Sequence, residues 1–255
     1  AGQVTGYVSG VFAEHGATPC VAVADVHQNA AAALTERIGA RSKYSDYREL
    51  LENTEVDAVY IATPPNIHHM MVLDAIAAGK HVICEKPFMQ NATQAEEVLS
   101  AARSKPDLKI GSCSSRFRDA TTAHRACEII SEETLGSLYR VHFETVSAAP
   151  PVGSTSPAWR NDPTMNGGAI LHVWGSYDLD WISYVLGDLF TPRSIFATTV
   201  PFLSLTPERG CSTPDVDGRF SAEIVCDSGV SIHWERRAGE HGPPTHHIEM
   251  RGESG

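Results

Sequence analysis

Glu85-Lys86-Pro87 holds the groups in this chain best suited to chemistry. A lysine placed at a strand's end can hold a proton near a reacting carbon. Proline fixes the backbone beside it. The tripeptide follows His81-Val82-Ile83-Cys84, a short apolar run of the kind that forms a buried parallel strand. In open α/β sheets ligands bind at the carboxyl ends of the strands, so this charged pair stands where a site is expected. Lys86 reads as the working group and Glu85 as support for its geometry.

Upstream elements must position that turn. Residues 56–62 read as another buried strand, ended by Thr63-Pro64-Pro65. Asn66 is expected to cap a helix running through Met70, Val72, Leu73 and Ile76, with Gly79 as its stop. Residues 20–25 form a third apolar run, ending in Asp25. Asn29 is expected to cap a helix over residues 30–38, closed by Gly39. Alternating strands and helices argue for βαβ units with a parallel sheet. Right-handed crossovers gather the strand ends on one edge.

Composition narrows the function classes. The chain has 255 residues, enough for one large or two modest domains. A net charge of -11 argues against a nucleic-acid surface. No apolar run reaches membrane-spanning length, and no signal peptide is visible. The six cysteines contain no C-x-x-C pair, which fits a reducing, cytoplasmic setting without a disulfide framework. Twelve histidines raise the question of a metal, but no H-x-x-x-H spacing occurs. No metal site is expected.

The ordered blocks Val21-Ala22-Val23-Ala24-Asp25, Ile61-Ala62-Thr63-Pro64-Pro65, His68, Ala78-Gly79-Lys80-His81-Val82 and Cys84-Glu85-Lys86-Pro87 resemble the Gfo/Idh/MocA family of nicotinamide-dependent oxidoreductases. The resemblance continues in Trp159-Arg160, Gly167-Gly168-Ala169-Ile170-Leu171 and Trp174-Gly175-Ser176-Tyr177-Asp178-Leu179-Asp180. It implies a Rossmann-type parallel-sheet domain followed by an α+β domain with a mostly antiparallel open sheet. The division is expected as residues 1–117 and 118–255. Strands are expected at residues 108–113, 138–146, 194–200, 220–226, 230–236 and 246–250, with a helix over 120–130 and a hairpin turn at Asp227-Ser228-Gly229.

The resemblance also implies an activity: hydride transfer between NAD(P) and a hydroxyl carbon of a sugar, cyclitol or related polyol. An NAD-dependent glycosidase or lyase, or a non-catalytic NAD-binding regulator, stands as an alternative. It places Gly2, Gly6, Asp25, Thr63, Pro64, His68, Glu85, Lys86 and Arg116 around the cofactor. Trp159, Arg160, His172 and Asp178 fall on the substrate side. A homo-oligomer formed through the second sheet is implied as well. Family members open with a strand and a complete glycine-rich turn and continue past residue 255, so the chain reads as truncated at both ends. Gly2 and Gly6 read as remnants of that turn.

Two residues refine the chemistry. Asp25 can accept hydrogen bonds from ribose hydroxyls and would repel a 2′-phosphate, which favours NAD over NADP. The family commonly carries an aspartate and, four residues later, a histidine on one helical face. Here those positions are Val173 and Tyr177. Valine cannot take a proton, whereas tyrosine can once a cation lowers its pKa from about 10. Tyr177 with Lys86 is therefore the expected catalytic pair.

Overall fold

The computed structural model describes residues 20–148, 162–168, 170–201, 217–240 and 243–255, together with residues 5, 8, 10 and 159. The chain divides into two compact units, Ala1–Cys113 and Ser114–Gly255. The division lies four residues before the 117/118 boundary expected from sequence, so Arg116 and Phe117 belong to the second unit.

Among the described residues the first unit holds five strands, each paired in parallel with its ladder neighbour: β1 (Ala22–Ala24), β2 (Ser42–Tyr44), β3 (Ala58–Ile61), β4 (His81–Cys84) and β5 (Ile110–Ser112). They form two ladders, β1-β2 and β3-β4-β5. In β4, Val82 and Cys84 are buried, while Ile83 is 49% exposed. The run expected to be buried on both faces is therefore buried on one. Beneath that face lie Val72, Ala75 and Ile76 of helix His68–Ala77, packed with Ile61, Val82, Cys84 and Val98.

The expected caps differ from the observed ones. Helix Gln28–Ile38 starts ahead of Asn29, and its N-cap is His27. Asp25 steadies that entry by accepting the His27 backbone N–H at 2.8 Å. Asn66 lies inside a short 3-10 turn, Pro65–Ile67, that runs into helix His68–Ala77. The stops are as read: Gly39 closes its helix at φ 68°, and Gly79 follows its helix at φ 76°.

The second unit has a mixed, mostly antiparallel sheet of β6 (Leu138–Ala148), β7 (Pro192–Pro201), β8 (Asp217–Cys226), β9 (Ser231–Glu240) and β10 (Thr245–Gly252). Its order is β10-β6-β9-β8-β7, with β6 and β9 the parallel pair. Gly229, at φ 89°, turns the chain between β8 and β9. One face is covered by the 17-residue helix Ile170–Leu186. Trp181, Ile182, Val185 and Leu186 of this helix pack on Phe143, Phe220, Ile224, Ile232 and Trp234. Gly175 permits the close approach, since a Cβ there would stand 3.1 Å from the Trp234 ring.

Candidate functional site

In the first unit the candidate groups sit on turns that leave the strands. Because β3 and β4 are parallel and in register from Ala58↔His81 to Ile61↔Cys84, their carboxyl ends finish side by side. Thr63 and Pro64 leave β3 there, and Glu85 and Lys86 leave β4. All four are half-buried.

His68 fastens these two turns together. It is 0% exposed. Its Nδ1 lies 2.9 Å from the Pro87 carbonyl oxygen, and its Nε2 lies 2.9 Å from the Thr63 carbonyl oxygen. A neutral imidazole can donate to one of these carbonyls, and only the protonated ring can donate to both. Burial pushes the His68 pKa down, while the two carbonyls and the Glu85 carboxylate pull the other way. The downward push prevails. The sequence reading placed His68 beside the cofactor; in the structure both ring nitrogens face protein carbonyls.

Glu85 is fixed with similar care. Its carboxylate accepts the Tyr60 hydroxyl at 2.5 Å and the Lys86 backbone N–H at 3.2 Å. Burial and then the Glu85 charge raise the Cys113 pKa to about 11. The peptide bond between Lys86 and Pro87 is cis, and Pro87 is buried.

Asp25 ends β1 half-buried, its carboxylate turned toward the His27 amide. A half-buried acid at a parallel strand's end has the right chemistry for a ribose diol and the wrong charge for a 2′-phosphate. Gly2, Gly6 and Arg160 lie outside the described residues.

In the second unit the candidates lie on and around helix Ile170–Leu186. Tyr177 is 7% exposed. Its ring meets Phe117 at 5.4 Å and Trp174 at 5.9 Å, centroid to centroid. The exposed Arg116 guanidinium stands 5.9 Å from the Tyr177 ring centroid. The tyrosine therefore has a cation close by within its own unit. Val173 lies one turn earlier and is half-buried.

His172 is half-buried, and its Nδ1 has no hydrogen-bond partner among the described residues. That nitrogen packs over Gly168, where an added Cβ would approach to 2.3 Å. Trp159 is half-buried, and its carbonyl accepts the Asp162 N–H at 3.4 Å.

Asp178 faces the sheet. It is 0% exposed and takes a two-pronged contact from Arg236, at 2.8 and 2.6 Å, plus the Trp234 indole N–H at 3.1 Å. Arg236 is itself 4% exposed. Both oxygens of the expected substrate-side acid are thus bound by the protein. One sequence signal pointed there: Asp178, Trp181, Ile182 and Val185 share the i, i+3, i+4, i+7 stripe that faces the core. Asp180 pairs with Arg118 at 2.7 Å and receives the Ser114 hydroxyl at 3.3 Å.

Comparison with known proteins fits this architecture. Residues 1–110 match an oxidoreductase family with an NAD-binding Rossmann fold, and residues 123–255 match the GFO/IDH/MocA C-terminal domain. The chain belongs to the Gfo/Idh/MocA family. Its first unit carries that family's NAD-binding fold. D-xylose 1-dehydrogenase (NADP(+)) 2 of Haloferax volcanii is 31% identical over 214 residues, covering 84% of this chain and 60% of that protein. Levoglucosan dehydrogenase of Pseudarthrobacter phenanthrenivorans is 25% identical over 183 residues, covering 70% and 45%. A crystal structure of an NAD binding oxidoreductase from Klebsiella pneumoniae superposes with a TM-score of 0.75 at 28% identity, covering 91% and 61%. The chain thus spans 40 to 60% of the length of the first curated relatives it matches. Both named enzymes are dehydrogenases, which gives no support to the glycosidase, lyase or non-catalytic alternatives. No described helix is long and apolar enough to cross a membrane.

Proposed function

We propose that the protein is an NAD-dependent dehydrogenase acting on a hydroxyl carbon of a sugar, cyclitol or related polyol. The observation that carries this reading is the Glu85-Lys86-Pro87 turn, placed at a parallel strand's carboxyl end and tied down by His68 and Tyr60. Membership of a family with dehydrogenases among its relatives supports it.

Lys86 is assigned to hold the oxygen of the reacting carbinol and stabilise the alkoxide. Tyr177 is assigned to accept the hydroxyl proton, and Arg116 to the cofactor. NAD, when bound, would supply the hydride acceptor. Asp25, Thr63, Pro64 and Glu85 are assigned to its binding surface, with Gly2 and Gly6 toward the pyrophosphate. Trp159, Arg160 and His172 are assigned to the substrate. NAD is preferred to NADP because of the charge of Asp25, even though one relative is named for NADP.

A homo-oligomer formed through the open face of the second unit's sheet belongs to the same proposal. The register partners Glu249↔His142 and Arg251↔Arg140 put both charge signs on neighbouring strands. Light scattering after size exclusion tests it, and a monomer at working concentration would reject it. A cytoplasmic setting is proposed too, in keeping with the buried free thiols Cys84 and Cys226.

The functional test is a fluorescence titration with NADH and NADPH, followed by a polyol screen that follows cofactor reduction. Tighter NADH binding and turnover of a sugar are the expected results. Lys86→Ala should abolish turnover while NADH still binds. Tyr177→Phe should slow turnover by at least about 100-fold, the usual scale for a general acid–base residue. Parental rates in both variants would reject the assignment.

A further inference from the structure

Helix Ile170–Leu186 buries the stripe of Asp178, Trp181, Ile182 and Val185. Ser176 lies two residues before Asp178, about 200° round the helix, so it stands on the side away from that stripe. Its Oγ is nevertheless buried, and it has no hydrogen-bond partner among the described residues. A serine inside a helix can turn its hydroxyl to the carbonyl four residues back, here that of His172. Ser176 does not use it. One turn earlier, His172 Nδ1 is in the same condition, buried and without a partner among the described residues. The two atoms do not bond each other either.

Residues four apart on a helix are neighbours, with Cβ atoms about 5–6 Å apart. Gly168, at φ 152°, lets the His172 ring lie where it does, since an added Cβ would come within 2.3 Å of Nδ1. A buried polar atom without a partner is costly, and native proteins leave few. Two of them on adjacent turns of one helix point to a ligand that supplies both bonds. Their chemistry names its class. An imidazole nitrogen donates or accepts according to tautomer, and a serine hydroxyl does both, so the matching groups are uncharged hydroxyls. We propose that Ser176 is a specificity-determining residue, which together with His172 binds two neighbouring hydroxyls of the polyol. This rests on the polyol reading above, in which Ser176 has no part. The bonds go to hydroxyls that do not react.

The test has two arms. The first measures kcat/KM on D-glucose, on myo-inositol and on any further polyol that the screen turns over, each with its monodeoxy derivatives. Ser176→Ala should lower kcat/KM about tenfold on the unmodified polyol, the upper scale for one neutral hydrogen bond. On the derivative that lacks the hydroxyl bound by Ser176, variant and parent should be equal. His172→Phe keeps a ring over Gly168 and deletes its nitrogens. Its loss should vanish on a different derivative, the one deoxygenated at the adjacent carbon. A loss of the same size on every derivative, or on none, would overturn the proposal, because packing or a trapped water would then account for both atoms.

The second arm uses the chain without cofactor or substrate. Ser176→Ala should melt at the parental temperature or above, because no hydrogen bond within the protein is lost and alanine is the better helix former. A lower melting temperature would show that the protein itself holds the hydroxyl, and would overturn the proposal. If the parent turns over no polyol in the screen, the functional reading fails, and the melting arm still decides whether Ser176 keeps its hydroxyl for a ligand.

Discussion

In the first unit the candidate groups stand on turns that leave parallel strands, and hydrogen bonds to those turns hold them. In the second they stand on a long helix, and a buried ion pair with aromatic packing holds the helix. His68 grips two backbone carbonyls, each at 2.9 Å. Arg236 grips one carboxylate with two bonds, at 2.8 and 2.6 Å. The first arrangement fixes where a short segment goes and leaves little charge at stake. The second sets a full charge inside the core, where losing one partner leaves the other unpaired. The two units should therefore fail differently when a single fastening side chain is removed.

The largest effect is expected in the second unit. Arg236→Met strands the Asp178 carboxylate in the core, and breaking a buried pair this way typically costs about 3–5 kcal/mol. Thermal unfolding should show the loss. Adding Asp178→Leu to the same chain should recover most of it, because no charge is then left without a partner. A single and a double variant of equal stability would break the comparison, since the pair would then behave like ordinary hydrogen bonds.

A smaller effect is expected at His68. His68→Leu removes the ring that joins the Thr63 and Pro87 turns and deprives one of their carbonyls of the donor that a neutral imidazole supplies. The cost should be about 1–3 kcal/mol, on the scale of unsatisfied buried polar groups. Denaturant melts would read the stability. The same variant should weaken NADH binding, because the turns assigned to the cofactor lose their tie. A variant as stable as the parent, with parental NADH binding, would show that the strand register alone fixes those turns.

These fastenings divide sharply by how visible they are in sequence. The turns after β3 and β4 are legible because a short apolar run meets Thr-Pro-Pro or Glu-Lys-Pro, an abrupt change of local preference. The Ser42–Tyr44 strand is not, since Ser-Lys-Tyr carries no apolar run and exists through its pairing with β1. Helix Ala92–Arg103 did carry a signal, Asn91, whose side chain accepts the Gln94 N–H. The partners of the candidate residues are the hidden part. Tyr60 lies 25 positions from Glu85, and Arg236 lies 58 from Asp178. Such pairs are made by register and packing, which local patterns do not encode. Asp178 was half visible: its place on the apolar stripe marked it as buried, but nothing in sequence named its partner.

The smallest and most selective prediction concerns acid. Burial lowers the His68 pKa below its value in the unfolded chain, about 6.5. Below that pH the unfolded chain takes up a proton that folded His68 resists, so this residue favours unfolding as the solution becomes more acidic. Its contribution is intact above about pH 6.5 and falls away on the acid side, down to the lower folded value. Comparing unfolding free energy at about pH 7.5 and about pH 5.5 in the parent and in His68→Gln isolates the effect, because glutamine does not titrate. The parent should lose more stability than the variant over that interval. The opposite ordering would mean that the two carbonyls and Glu85 outweigh burial and that the folded ring holds its proton. His68 would then donate to both turns at once, and the first unit, like the second, would rest on a buried charge.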